Sequence, residues 1–346
     1  MDAIEFSQLR IDIVPGSSYE SLLEQCNDRL AAALSQGSPV GAAHAYVGRA
    51  ECQRRLGKRA DAQDDLQRGV ELFTAAQDAA GVRLATWGLG NLQRGNSDFE
   101  AATRSLRAVI DSARQDGDRR MYAYATAGTA EIARLQGDYR SAWPAHAAAT
   151  RAYLAIDDRR GVVWGIEGFA QMLRNSGNPG RAAVLFSRAD KISSTIGDIR
   201  ARGWARKGHA ECLALTGDTR EARRVFALAL ADFQRVTFGI GIAYTLKSRG
   251  DAEVGAGRYA QAFDDYSAAL EIFRRHKDAR GEAYTQVGVG ALFRRSGLPD
   301  AAHELFRKSE ATFVRLRVRR GVQLSQKGLS RLDGAPKSTS ATSTKP

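Results

Sequence analysis

Small residues and large apolar residues alternate along this chain with a period of 40 positions. Stepping from Gly57 gives Ser97, Gly137, Gly177, Gly217, Gly257 and Gly297. Five positions later the same step meets only alanine, at Ala62, Ala102, Ala142, Ala182, Ala222, Ala262 and Ala302. Four positions beyond the alanine comes a large apolar residue at Leu66, Leu106, Phe186, Phe226, Tyr266 and Phe306, and three further on a small one at Ala149, Ala189, Ala229 and Ala269. Spacings of three and four keep these side chains on one face of a helix. Phe73, Tyr153, Phe233, Phe273 and Phe313 extend that face.

Nine positions before each turn stand Gly48, Gly88, Gly128, Gly168, Gly208, Ser248 and Gly288, and Gly328 continues the series. Glycine inside a helix costs about 1 kcal/mol relative to alanine. Its recurrence therefore predicts a neighbouring helix that leaves no room for a larger side chain. The segment before each turn is one helix and the segment after it a second. Repeats join through Asp158-Arg159-Arg160-Gly161, Asp198-Ile199-Arg200-Ala201 and Asp278-Ala279-Arg280-Gly281, where the aspartate is placed to cap the helix that follows. The pattern predicts an unpaired helix near 18–36, seven hairpins between 41 and 316, and a closing helix near 319–332, sixteen in all.

A small residue, an alanine twelve positions on, then an aromatic and another alanine resembles the tetratricopeptide repeat over residues 17 to about 332. The period of 40 exceeds the usual one of about 34 and is similar to longer-helix arrays of the Leu-Gly-Asn and kinesin-light-chain kinds. The resemblance implies an all-α fold, a right-handed superhelical solenoid of about seven hairpins, because each hairpin must stack on the next to bury its apolar face. Residues 1–16, including the alternating Leu9-Arg10-Ile11-Asp12-Ile13, are expected to be an extended leader, 17–332 the solenoid, and the Ser/Thr/Lys-rich 333–346 a disordered tail.

In tetratricopeptide proteins one stripe of the first helix faces the concave groove, and here it corresponds to positions 44, 47, 51 and 54 and their equivalents. The first position reads His44, Leu84, Tyr124, Trp164, Trp204, Tyr244 and Tyr284. The second includes Trp87, Lys207 and Lys247, the third Asn91, Glu131 and Glu211, and the fourth Arg54, Arg94, Arg134 and Arg174. Amides that hold a peptide backbone, guanidiniums that fork onto carboxylates and rings that cover apolar side chains suit an extended peptide. The candidate groove is thus Trp87, Asn91, Tyr124, Glu131, Arg134, Trp164, Arg174, Trp204, Lys207, Glu211, Tyr244 and Lys247. The clamp by which tetratricopeptide co-chaperones hold acidic C-termini is not reproduced: Asn91 matches one of its positions, but Trp87 stands where it needs a lysine.

Charge sharpens the choice of partner. The chain carries a net charge of +12, and residues 301–346 hold 10 Lys and Arg against 3 Asp and Glu while residues 1–80 hold 8 against 12. This balance favours an acidic protein or peptide as partner. Nucleic acid would have to rest on Arg315, Arg317, Arg319 and Arg320, with no reading helix to direct it. No stretch approaches a membrane span or a secretion signal, and the chain is expected in the cytoplasm. Cys26, Cys52 and Cys212 are scattered, and the five histidines fall at unrelated repeat positions. No nucleotide-binding, metalloprotease or serine-hydrolase motif is present, so neither a cofactor nor catalysis is expected. The remaining functional readings are a peptide- or metabolite-responsive regulator and an accessory enzyme with a pocket near Trp164, Trp204 and Arg174.

Two departures from the repeat stand out. Trp143-Pro144 is expected to interrupt the second helix of the third hairpin and widen the groove, with His146 in an aromatic position. Thr237-Phe238-Gly239-Ile240-Gly241-Ile242 replaces a polar joint by an apolar one, which is either buried against a neighbour or an adhesive surface for a partner; separately, a homodimer is among the expected assemblies.

Overall fold

A computed structural model describes residues 18–333; the predicted leader and the tail from 334 lie outside the described residues. Sixteen helices follow one another: α1 Tyr19–Ser35, α2 Pro39–Arg55, α3 Arg59–Ala75, α4 Ala79–Gly95, α5 Phe99–Gln115, α6 Arg119–Gln136, α7 Tyr139–Ala155 and α8 Arg159–Asn175. The second half repeats the scheme with α9 Pro179–Thr195, α10 Ile199–Leu215, α11 Thr219–Arg235, α12 Gly239–Gly255, α13 Tyr259–Arg275, α14 Ala279–Arg295, α15 Pro299–Arg315 and α16 Arg319–Asp333. There is no strand among the described residues.

Nearly every link is a three-residue Schellman turn. At the first hairpin, Lys58 N–H donates to the Gln53 carbonyl at 2.8 Å, with Gly57 between them at a φ of 84°. The next helix starts at once, and aspartates at 78, 98, 118, 138, 158, 198, 218 and 278 accept the backbone N–H three residues on. Helices of uniform length joined by uniform links can stack only as a regular solenoid. The first helices of successive repeats (α2, α4, α6 and so on) also touch one another and form the inner wall.

The two repeated series of the sequence meet in the core. A Cβ built on Gly208 would lie 2.3 Å from the Phe186 ring, and the same relation pairs Gly88 with Leu66, Gly128 with Leu106, Gly288 with Tyr266 and Gly328 with Phe306. A second set places Phe73, Tyr153, Phe233, Phe273 and Phe313, each fully buried, over Gly81, Gly161, Gly241, Gly281 and Gly321. Glycine is required because a ring, or leucine at Gly88 and Gly128, occupies the space of its side chain.

The superhelix also returns upon itself. Tyr19 of α1 packs edge-on against Phe238 at 6.0 Å, and Thr237 bonds Glu20, 217 residues away. Arg317 pairs with Glu100 across the same separation of 217. His276 sits against Gly57, and Arg320 Nη1 donates to the Asn175 carbonyl at 3.2 Å. Successive superhelical turns therefore touch along a seam.

This seam bears on two expectations. Of the two readings of the apolar joint, burial is the one observed: Phe238 is buried, and Tyr19 of α1 of the same chain packs on it. Of the four C-terminal arginines offered for nucleic acid, Arg317 and Arg320 are engaged in the seam. A further correction concerns Pro144: α7 runs unbroken from Tyr139 to Ala155. The proline removes one hydrogen bond, but burial of Ala142, His146, Ala149 and Tyr153 against the neighbouring helices keeps the helix whole.

Candidate functional site

The inner wall and the seam enclose a lumen of about 830 Å³. Eleven of the twelve sequence-predicted residues line it: Trp87, Asn91, Glu131, Arg134, Trp164, Arg174, Trp204, Lys207, Glu211, Tyr244 and Lys247. They come together because positions four, seven or three apart on each first helix share its inward face, and stacking brings those faces into register.

Tyr124 is the exception. It is 1% exposed, held between Trp87 at 5.8 Å and Tyr153 at 4.9 Å, and its hydroxyl donates to Asp158 Oδ2 at 2.9 Å. The expectation that it faces the groove fails because Trp87 and Trp164 of the adjoining repeats close over it. The other rings have a double role. Trp204 packs on Phe233 at 5.0 Å and Phe238 at 6.0 Å and leaves part of its surface in the lumen, and Tyr244 lies against Phe273 at 4.8 Å.

The polar wall is a ladder of buried charge pairs. Glu51 accepts two bonds from Arg54, at 2.9 and 2.6 Å, and Glu131 two from Arg134, at 2.7 and 2.5 Å. Glu211 pairs with Arg174, with Lys207 at 2.5 Å and with the Ser248 hydroxyl at 2.6 Å. Lys247 reaches Asp251 at 2.6 Å and lies 5.8 Å from the centre of the Tyr284 ring. Burial works against ionisation of Glu131, yet Arg134 and Arg94 hold its pKa down at about 2. Burial, then Arg174 and Lys247, push the Lys207 ammonium well below its usual value.

Sequence reasoning missed a further row of cations. Arg160, Arg200, Arg280 and Arg320 also line the lumen, as do Asp198 and Asp278. Arg320 is the equivalent residue of the closing helix, and Arg160, Arg200 and Arg280 lie one turn before the aromatic position, on the same helical face, within the capped joints. Their spacing of four from Trp164, Trp204 and Tyr284 was the available signal. Among the residues that line the lumen, twelve Arg and Lys face six Asp and Glu, and Glu51 behind the wall pairs with two of the twelve, Arg54 and Arg55. The lumen is a cationic enclosure with aromatic edges. Among the described residues, no group of three or more His, Cys, Asp or Glu is placed to hold a metal, and no helix is long and apolar enough to cross a membrane.

Comparison with known proteins bears on the fold. Residues 241–313 match the tetratricopeptide repeat family. The chain is similar to the crystal structure of a Rap protein complexed with competence and sporulation factor, with a TM-score of 0.59 and 13% identity over 91% of this chain and 97% of that one. Weaker likenesses are to BtubC from P. vanneervenii, with a TM-score of 0.45 and 15% identity over 73% and 97% of the two chains, and to a tetratricopeptide repeat protein from Parabacteroides merdae, with 0.44 and 16% over 89% and 98%. No curated protein sequence matches the chain.

Proposed function

We propose that this chain, whose fold is that of tetratricopeptide-type repeats, is a non-catalytic protein–protein interaction scaffold whose lumen takes in an extended polypeptide segment of acidic character. The observation that carries this reading is the excess of twelve cationic over six acidic side chains in an enclosed space. Such a space strengthens each electrostatic contact and favours an anionic occupant. Its 830 Å³ falls within the range of about 300–1,000 Å³ common for small-ligand sites, which suits a few residues of extended chain and excludes a folded domain. The edges of Trp164, Trp204 and Tyr244 offer apolar cover for side chains between the charges. A Rap protein of the same fold was crystallised in complex with competence and sporulation factor, in keeping with a ligand-holding solenoid.

One observation favours a regulatory version of this function. The lumen is walled partly by helices from different superhelical turns, so a ligand touching Arg94 on one side and Arg280 or Arg320 on the other would bias the pitch of the seam. A scaffold of this kind would respond to its peptide as well as hold it.

The test is placement of a photo-crosslinking residue at Gln171 in the lumen or at Val184, which is exposed on α9. After irradiation in cell extract, position 171 should yield adducts with polypeptide segments and position 184 should not. Adducts confined to position 184, or adducts at 171 that contain no peptide, would refute the reading.

A further inference from the structure

Arg54, Arg94, Arg134 and Arg174 occupy equivalent places on four successive inner helices, and three of them hold a carboxylate. Glu51 forks onto Arg54, Glu131 onto Arg134, and Glu211 pairs with Arg174. Arg94 differs. The residue three positions before it is Asn91, whose Oδ1 accepts a bond from Arg94 Nη2 at 3.0 Å but brings no charge. Glu131 Oε1 lies 4.0 Å from Arg94 Nη1 and is already committed to Arg134.

The donors around Arg94 are unsatisfied as well. Arg94 Nε, Trp87 Nε1 and Arg280 Nη1 are buried without a hydrogen-bond partner, and all three residues line the lumen. Trp87, Asn91 and Arg94 are spaced by four and three on one face of α4, and Trp164 lies 6.0 Å from the Arg94 guanidinium. Burial, followed by the charges of Arg54, Arg280 and Arg134 and opposed only by Glu131, brings the Arg94 pKa down to about 10. Buried donors with no acceptor and crowded like charges are both unfavourable, and one bound anion relieves both.

We infer that the Asn91 and Arg94 step of α4, facing Arg280 of α14 across the lumen, is a carboxylate subsite for the polypeptide ligand. The ligand's carboxylate takes on Arg94 the place that Glu51 and Glu131 hold on Arg54 and Arg134. This inference rests on the lumen being the binding site. A planar, singly charged carboxylate fits the guanidinium fork, whereas the nearby Glu131 carboxylate disfavours a doubly charged phosphate.

The test uses the full chain, immobilised and panned against random octapeptides made once with free and once with amidated C-termini. Wild type should enrich peptides that share one indispensable carboxylate. An Asp or Glu at a fixed place in both libraries identifies a side chain as its source, and enrichment lost on amidation identifies the C-terminus. Asn91→Glu gives Arg94 an internal carboxylate, as its neighbours have, and should weaken the selected peptide about tenfold to a hundredfold with circular dichroism and melting unchanged. Arg94→Gln should weaken it similarly. Enriched peptides with no shared carboxylate, or undiminished binding by both variants, would overturn the subsite and leave the lumen reading intact. No enrichment by wild type would refute the lumen reading itself, and the subsite with it.

Discussion

Each inner helix has two unlike faces, and the contrast between them separates what the fold demands from what the site is free to vary. On α10, Gly208 meets the Phe186 ring, and the equivalent position in every other repeat holds glycine or serine. One residue earlier, Lys207 points into the lumen, and its equivalents are Val47, Trp87, Ala127, Glu167, Lys247 and Val287. A bulky side chain packed where a Cβ would stand admits only glycine or, at Ser248, another small residue, so that face repeats. An enclosed lumen admits many side chains, so the other face can be differentiated repeat by repeat, and the charge ladder with its gap at Asn91 is the outcome.

The largest expected effect tests this contrast on adjacent residues. Gly208→Leu must displace a fully buried ring and should cost about 3 kcal/mol or more in thermal or chemical unfolding. Lys207→Leu removes a desolvated cation and leaves Glu211 paired with Arg174 and the Ser248 hydroxyl, so it should change stability by only about 1 kcal/mol. Equal losses for the two variants would break the distinction between the faces.

His146 is the case where the packing face carries a titratable group. It stands where the other repeats have Leu66, Phe186 or Phe226, fully buried against Gly168, and neither ring nitrogen has a hydrogen-bond partner. Burial lowers its pKa from 6.5 to about 4, with Glu131 opposing and Arg134 adding to the shift. The folded state thus binds its proton less readily than the unfolded chain. The stabilising effect of the neutral ring is complete above pH 6.5 and is lost as pH falls towards 4, by up to about 3 kcal/mol. Glu131, held at about 2 in the folded chain, regains its ordinary value of 4.5 on unfolding, so it adds its own loss of stability only below about pH 5.5. His146→Phe should flatten the unfolding free energy between about pH 6.5 and 5.5, where the carboxylates do not yet contribute, which a pH series of denaturant melts would measure. An unchanged slope would place the acid sensitivity elsewhere.

How far the sequence discloses this molecule depends on the scale of the feature. Hairpin turns from Gly57 to Gly297, paired glycine and aromatic series and aspartate caps are all local, and each is legible at the step of 40. The intermediate turns are less so: Gln77, Asp157, Thr237, Lys277 and Arg317 adopt the same left-handed conformation without the glycine that would mark it. Helical spacing also identified the lumen stripe but could not foresee that Trp87 and Trp164 would bury Tyr124 between them. The seam was out of reach. Contacts such as Glu20 with Thr237 depend on the small rotation accumulated over several repeats, which no single repeat encodes visibly.

The central claim, that the lumen is where a partner segment sits, is tested most directly by closing it. Ala214 lines the lumen at a position that holds arginine in most other repeats, so the backbone there accepts a long side chain. Ala214→Trp would fill part of the space without adding charge. Calorimetric titration with a peptide selected by the wild-type chain should show its affinity reduced at least about tenfold, the expected cost of a misfit in a buried site, while the melting temperature stays within a few degrees. Wild-type affinity in the plugged chain would contradict the account.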